Sequence, residues 1–98
     1  MSAYIIARAD INDWDQFRHY IAVTLSIIEK YRGSVIALSE EPHTLEGPDE
    51  TRRIVILQFP SIEKAKEFYH SPEYGEARKL REGAAVGELI LIDGLVPG

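Results

Sequence analysis

Two short segments of this chain are apolar at every position, and this feature limits the folds that the chain can adopt. They read Ile54-Val55-Ile56-Leu57 and Leu89-Ile90-Leu91-Ile92. Because successive side chains of a strand point to opposite faces of a sheet, a sheet with one face in water alternates apolar and polar residues. Strands without this alternation must be covered on both faces. The runs are much too short to cross a membrane as helices, so the cover must be protein.

Turn residues and apolar spacing place the remaining elements. The predicted strands cover residues 3–9, 34–39, 52–59 and 86–93, with an acidic loop at 40–50 and a tail at 95–98. Asn12 or Asp13 can cap a first helix that ends near Gly33. Ser61 and Ser71 can cap a second and a third helix, and the third should extend to about residue 82. The apolar stripe of the first helix is predicted to be Trp14, Phe17, Ile21, Leu25 and Ile28.

The resulting βαββαβ order indicates an α+β fold of the ferredoxin-like type, an antiparallel sheet with helices on one face. We expect residues 1–98 to form a single domain. The helix side of the sheet is predicted to carry Ile5, Ala7, Val55, Leu57, Leu89 and Leu91, and the other side Tyr4, Ile6, Ile54, Ile56, Ile90 and Ile92. That second face is too apolar to leave in water, and a second copy of the sheet would cover it. We therefore predict a sheet-to-sheet homodimer, which forms a dimeric α/β barrel.

Composition and charge disfavour several classes of function. Sixteen acidic and eleven basic residues give a net charge of −5, which argues against nucleic acid and anionic membrane surfaces as partners. The chain has no cysteine, and its histidines, His19, His43 and His70, lack the spacing of a metal motif. We accordingly expect no metal, haem or other cofactor. Without a basic leader or a long apolar segment, we expect a cytoplasmic protein.

Several segments resemble a known family, and the resemblance extends over nearly the whole chain. They are Ala3-Tyr4-Ile5-Ile6, Tyr31-Arg32-Gly33, Leu45-Glu46-Gly47, the run from Arg53 to Ser61, and Phe68-Tyr69-His70-Ser71-Pro72-Glu73-Tyr74 with Arg78. These residues resemble the DUF1330 family. The resemblance implies a ferredoxin-like dimeric α/β barrel, as in antibiotic-biosynthesis monooxygenases and stress-responsive barrel proteins, but it implies no activity. Two positions depart from the family pattern: many members have glutamate at Gln58, and an arginine-glycine-glycine turn in place of Leu38-Ser39-Glu40.

The end of the second helix and the third helix offer the first candidate site. Tyr69 and Tyr74 flank the break between these helices, where a cleft can form between the helices and the sheet. Arg78 and Arg81 follow Tyr74 on the same helix face, and a guanidinium can bind a carboxylate or phosphate with two hydrogen bonds. We predict an anionic or phenolic ligand here, bound by Tyr69, Tyr74 and Arg78. Ordinary packing of the tyrosines and arginine stems is the alternative.

Two further groups of polar residues are candidates. Arg8 and Gln58 interrupt the apolar rows of the second sheet face, where they could line a ligand pocket. An Arg8–Glu88 ion pair between neighbouring strands is the alternative. His19 and His70 are the candidate catalytic bases, because histidine titrates near neutral pH, although either can simply be an exposed side chain.

Two classes of function follow from these residues. The first is a protein that binds a small hydrophobic or anionic molecule. The second is a barrel enzyme without a cofactor, similar to a monooxygenase or an isomerase. Cofactor-free monooxygenases of similar fold often use an asparagine-tryptophan-histidine set, whereas Trp14 is predicted to begin the buried stripe of the first helix, and the sequence pattern places no matching partners beside it. The first class is therefore favoured.

Overall fold

The computed structural model describes residues 2–95, and its elements follow the predicted order. The strands are β1 (Ala3–Ile11), β2 (Ser34–Ser39), β3 (Arg53–Phe59) and β4 (Ala85–Asp93), and the helices are α1 (Trp14–Lys30), α2 (Ile62–Tyr69) and α3 (Pro72–Lys79). β1 continues to Ile11 rather than ending at Ala9. Of the predicted tail, residues 96–98 lie outside the described part of the chain.

The four strands form one antiparallel sheet in the order β2-β3-β1-β4. β1 is therefore central, with β3 on one side and β4 on the other. Ile6 of β1 lies opposite Ile56 and Ile90, whereas its neighbour Ile5 lies opposite Leu57. Because directly opposed side chains of paired strands lie on the same face, this register confirms the predicted division of the sheet into two apolar faces.

The helices pack on the face of the sheet that contains Ile5 and Leu57. These two side chains are 3% and 7% exposed, and they join the core formed with the helices. On the opposite face, Ile90 and Ile92 are 45% and 43% exposed in the single chain. One apolar face of the sheet is thus covered by helices, and the other is not.

Each helix begins at a predicted capping residue. The side chains of Asp13, Ser61 and Ser71 each accept a hydrogen bond from the backbone amide three residues later, which satisfies donors that the first helical turn leaves unpaired. α3 ends at Lys79 rather than near residue 82, because the chain turns through residues 80–84 with Gly83 at a φ of 78°. None of the helices within residues 2–95 is long and apolar enough to span a bilayer.

The buried stripe of α1 differs from the predicted one. Its buried residues are Phe17, Thr24, Ile27 and Ile28. Two residues of the predicted stripe, Trp14 and Leu25, are 39% and 47% exposed. The predicted stripe from Phe17 to Ile28 still faces the sheet, but across a cavity that leaves Leu25 exposed.

The centre of the core is a group of stacked aromatic rings that joins β3, α2 and α3. Phe59, Phe68 and Tyr74 are each 1% exposed. The ring centroids of Phe59 and Phe68 are 5.2 Å apart, and those of Phe68 and Tyr74 are 4.6 Å apart. Both distances are favourable for aromatic pairs. This group holds the two short helices on the sheet and fixes Tyr74 where it also meets α1.

The connection from α1 to β2 requires glycine at position 33, because neighbouring core side chains leave no space for a Cβ atom there. The left-handed residue at the helix end is Arg32, with a φ of 65°. A Cβ atom added at Gly33 would lie 2.6 Å from the Phe59 ring and 2.8 Å from a methyl group of Ile28. Gly33 therefore ends the helix where the sequence predicts, and its absent side chain lets the backbone approach the core.

We expect Gly33→Ala to lower the free energy of unfolding by about 1–3 kcal/mol, because the added methyl group must displace the buried Phe59 ring. Urea unfolding followed by circular dichroism measures the change. The matched control is Gly75→Ala in α3, where an added Cβ atom meets nothing within 4 Å and alanine favours the helix by up to about 1 kcal/mol. Equal destabilisation of the two variants would contradict this explanation of the turn.

Candidate ligand-binding site

A cavity of about 300 Å³ lies between α1 and the helix side of the sheet. Its walls are mainly apolar. Those from α1 are Phe17, Tyr20, Ile21, Thr24, Leu25 and Ile28, and those from the sheet include Ala7, Ala9, Val35, Leu38, Val55, Leu57 and Leu89. The small side chains of Ala7 and Ala9 on the central strand leave room beneath the helix. The volume is at the lower end of the range for small-molecule sites.

The cavity has an apolar mouth between α1 and the edge strand β2. Leu25, Val35 and Leu38 line it, and their side chains are 47%, 42% and 54% exposed. The opposite wall is formed by buried aromatic residues, Phe68 and Tyr74. A molecule that enters at the mouth would therefore cover exposed apolar side chains and reach the aromatic group of the core.

Two tyrosines provide hydroxyl groups at the cavity wall. The hydroxyl oxygens of Tyr20 and Tyr74 are 2.7 Å apart, and either can donate to the other. Burial of Tyr74, together with the adjacent Tyr20, raises the pKa of the Tyr74 phenol well above its ordinary value. Tyr74 thus stays protonated at neutral pH. Because the pair shares one proton in its mutual hydrogen bond, the other is left for donation to a ligand.

Arg81 contributes a positive charge at the same wall. Its guanidinium lies 5.5 Å from the centre of the Tyr20 ring, a favourable cation–π distance. None of the ion pairs formed within residues 2–95 includes Arg81. Its Nε atom and the hydroxyl oxygen of Thr24, which also lines the cavity, are buried without a hydrogen-bond partner in the described chain. Such groups cost roughly 1–3 kcal/mol each when left unpaired.

Gln16 holds the turn that carries Arg81. Its Nε2 group donates hydrogen bonds to the carbonyl oxygens of Leu80 and Glu82, at 2.7 and 2.9 Å. The backbone just before α1 also donates to the carbonyl of Ala84 at 2.8 Å. The first turn of α1 and the turn after α3 are therefore tied together, and the position of Arg81 at the cavity depends on that connection.

A second guanidinium, that of Arg53, lies at another part of the wall. It is 5.7 Å from the centre of the Trp14 ring and 5.8 Å from that of Phe17. Its Nε atom donates to a carboxylate oxygen of Glu40 at 3.1 Å. The Arg53 side chain is 15% exposed and that of Glu40 is 59% exposed, so this ion pair lies at the boundary between cavity and solvent.

Of the residues predicted to bind a ligand, Tyr74 lines the cavity. Arg8 also borders the cavity, but its guanidinium lies 3.8 Å from the Glu50 carboxylate on the other side of the sheet. Gln58 donates a hydrogen bond to the Ser2 hydroxyl at 3.1 Å and is not part of the cavity wall. The structure therefore brings Arg8 to the border of the cavity that Tyr74 lines, with its guanidinium turned towards Glu50, and leaves Gln58 outside it.

Tyr69 and Arg78 lie behind Tyr74, away from the cavity. Arg78 donates a hydrogen bond to the Tyr69 hydroxyl at 2.8 Å, and its guanidinium is 4.8 Å from the centre of the Tyr69 ring. The Tyr69 and Tyr74 rings are 5.6 Å apart. These contacts occupy the break between α2 and α3, and ordinary packing accounts for them. A ligand role for Tyr69 and Arg78 stays a prediction.

The structure places the two candidate bases at the surface. His19 is exposed on α1, and His70 is exposed at the C-terminal cap of α2. Neither lines the cavity, and their role as bases stays a prediction. Within residues 2–95, no three side chains of the metal-binding types come together as a possible metal site.

The predicted Arg8–Glu88 ion pair is replaced by a cluster of four charged residues, Arg8, Glu50, Arg52 and Glu88. Arg8 and Glu88 are opposite each other in the sheet. Arg8 nevertheless pairs with Glu50, and Arg52 pairs with both Glu50 and Glu88. Hydrogen bonds from Arg52 hold the pKa of Glu50 down to about 2. The pairing differs from the prediction because the loop before β3 brings Glu50 alongside the strands.

Sequence reasoning missed three residues of the cavity wall and mentioned a fourth, Arg81, only as a neighbour of Arg78. The three are Tyr20, Thr24 and Arg53. Tyr20 and Thr24 are four residues apart, so they lie on one face of α1, and that spacing was the available signal. For Arg53 there was none, because its contacts come from distant parts of the chain.

The strand order and the single helical layer define the class: a ferredoxin-like α+β protein. The chain belongs to the DUF1330 family, a domain of unknown function whose family model matches residues 2–95. The family identified from the sequence segments is thereby confirmed. No curated protein matches the chain.

Solved structures with the same fold have diverse descriptions. RPA0582, a protein of unknown function from Rhodopseudomonas palustris, has a TM-score of 0.79 and 24% identity over 98% of this chain and 84% of its own. SnoaB, a cofactor-independent oxygenase from Streptomyces nogalater, has a TM-score of 0.67 and 9% identity over 97% and 94%. The de novo designed protein Foldit4 has a TM-score of 0.62 and 14% identity over 96% and 99%. These similarities show the fold and carry no activity with them.

We expect Thr24→Val to raise the free energy of unfolding by about 1 kcal/mol, because it removes an unpaired buried hydroxyl and keeps the shape of the side chain. Thermal and urea unfolding of the ligand-free protein measure the change. Thr24→Ser is the control: it keeps the hydroxyl and removes the methyl group, so it should be destabilising. A loss of stability in Thr24→Val would mean that the hydroxyl has a partner, such as an ordered water.

Proposed function

We propose that this protein binds a small, mostly apolar molecule with an anionic group in the cavity between α1 and the sheet. One observation carries the proposal. A cavity with apolar walls is bordered by the Arg81 guanidinium, which has no ion-pair partner within residues 2–95. A carboxylate or phenolate would supply the missing charge, while the remainder of the ligand would displace water from the apolar walls.

The other polar groups of the wall support the same kind of ligand. The Tyr20–Tyr74 pair has one proton beyond the one in its mutual hydrogen bond, and the Thr24 hydroxyl has no partner among residues 2–95. Together with the Arg81 guanidinium, these groups offer donors, whereas a carboxylate offers only acceptors. Hydrogen bonds of charged groups contribute about 1.5–3 kcal/mol, more than neutral ones. An apolar acid therefore fits better than a neutral hydrocarbon or an amine.

Binding accounts for the cavity better than catalysis does. In the part of the chain that the structure describes, none of the residues that line it is a histidine, an aspartate or a glutamate. A general base needs a pKa close to the working pH, whereas burial raises the pKa of Tyr74 and keeps its phenol protonated. The cofactor-free enzyme, similar to a monooxygenase or isomerase, is therefore the alternative, and chemical conversion of a bound ligand would identify it.

Octanoate should raise the melting temperature of the protein, and Arg81→Met should weaken its binding roughly tenfold or more, because the variant loses a charged hydrogen bond but keeps an apolar stem. Thermal shift and calorimetric titration measure both effects. Arg78→Met is the matched control, since Arg78 also stacks on tyrosine rings but lies outside the cavity. If Arg81→Met binds octanoate as the wild type does, the proposed site is wrong. Octanamide, which lacks the charge, should bind weakly to all three proteins.

We also propose that two copies of the chain pair through the uncovered face of the sheet. Ile6, Ile56 and Ile90 lie side by side on this face, and Ile90 and Ile92 are nearly half exposed. Monomeric proteins rarely leave a continuous apolar surface of this kind in water. The charged cluster around Arg52 lies at one end of the face, where it can fix the orientation of the two sheets.

Ile56→Lys should abolish the dimer and leave unfolded or aggregated chain, because the new charge would lie in a desolvated interface. Size-exclusion chromatography with light scattering measures the oligomeric state. Val23→Lys is the control: Val23 is 42% exposed on α1, outside the sheet, so the same substitution should leave the dimer unchanged. A stable monomer of the wild-type chain would rule out this pairing.

A further inference from the structure

We propose that Arg53 is a second anion-binding residue of the cavity, so that the preferred ligand is an elongated apolar dianion such as an α,ω-dicarboxylate. The inference rests on the proposed function, in which Arg81 holds the first anionic group. It adds a specificity-determining residue on β3 and narrows the ligand from an apolar acid to an apolar diacid.

Each of the two guanidiniums lies over one of two neighbouring aromatic rings of α1. Arg53 is 5.8 Å from the ring centre of Phe17, Phe17 and Tyr20 are 5.2 Å apart, and Arg81 is 5.5 Å from Tyr20. Tyr20 is three positions after Phe17 in α1, which corresponds to about 4.5 Å along the helix axis. Arg53 and Arg81 therefore mark two separate points along the inner side of α1. A ligand that lies along the helix beneath these rings can contact both charges.

Most hydrogen-bond donors of the Arg53 side chain are available to a ligand. The bond from Nε to Glu40 is the one hydrogen bond of its side chain found within residues 2–95. The four N–H groups of the two terminal nitrogens have no partner there, and they match the two oxygens of a carboxylate. The side chain is 15% exposed and flanked by the Trp14 and Phe17 rings. This partial desolvation strengthens an added charge pair relative to one in water.

Glu40 competes with the second anionic group of the ligand. Its carboxylate neutralises Arg53 in the free protein, but the Glu40 side chain is 59% exposed. Ion pairs with such an exposed partner contribute little to stability. A ligand carboxylate that binds the terminal nitrogens of Arg53 can therefore displace Glu40 or bind beside it. In the second case Glu40 repels the ligand, so its removal should strengthen binding.

Calorimetric titration with suberate and octanoate, which have equal chain length, tests the proposal. The wild type should bind suberate roughly tenfold more tightly than octanoate. Arg53→Met should remove this preference while octanoate affinity stays within about twofold, which also shows that the variant is folded. Glu40→Gln should raise the suberate affinity roughly two- to fivefold. The pairs adipate–hexanoate and sebacate–decanoate extend the test to shorter and longer spans.

The outcomes distinguish this inference from the proposed function. If each diacid binds no better than its monoacid, or if Arg53→Met keeps the preference, Arg53 is not an anchor and only seals the wall beside Trp14. The proposed function would still stand if octanoate binds and Arg81→Met weakens it. If none of the acids binds the wild type, the proposed function itself fails, and the inference fails with it.

Discussion

The contact between α1 and α3 determines where the rest of the site lies. The Tyr20–Tyr74 hydrogen bond and the bonds from Gln16 to the turn after α3 hold the helix beside α3. Beneath it, the central strand carries Ala7 and Ala9, which are too small to fill the space. The resulting cavity measures about 300 Å³ and is open at the mouth between α1 and β2. Larger side chains at the two alanine positions would fill part of this space.

Most of the fold could be predicted because its determinants are local. Side-chain alternation and capping residues act over a few positions, and they placed all four strands, the three helix starts and both sheet faces correctly. The predictions were wrong where contacts between distant segments determine which residues are buried and where a helix ends. The stripe of α1 predicted from spacing contains the buried Phe17 and Ile28, but it also contains the exposed Trp14 and Leu25 and omits the buried Thr24 and Ile27. The sequence pattern of residues 80–82 is compatible with a further helical turn. In the structure these residues belong instead to the turn that contains Gly83, so α3 ends earlier than predicted.

The candidate site was only partly predictable for the same reason. Arg78 and Arg81 are three residues apart, and a helical pattern assigns both to one face beside Tyr74. In the structure, Arg78 bonds to the Tyr69 hydroxyl, whereas Arg81 lies past the end of α3 in the turn held by Gln16. Which arginine reaches the cavity is thus decided by a contact between segments 64 residues apart. The same applies to Glu50, whose loop carries it to Arg8 and displaces the expected Glu88 pair.

The side chains of the central strand β1 point alternately to the cavity and to the uncovered face of the sheet. This strand therefore links the proposed ligand site with the proposed dimer interface. Along β1, Ala7 and Ala9 form the floor of the cavity, while Ile6 and Arg8 point to the uncovered face of the sheet. A strand cannot move on one face without moving on the other, because both sets of side chains share one backbone. A second copy packed on Ile6 would therefore also contact the strand that forms the cavity floor, so the proposed dimer and the proposed ligand site would share β1.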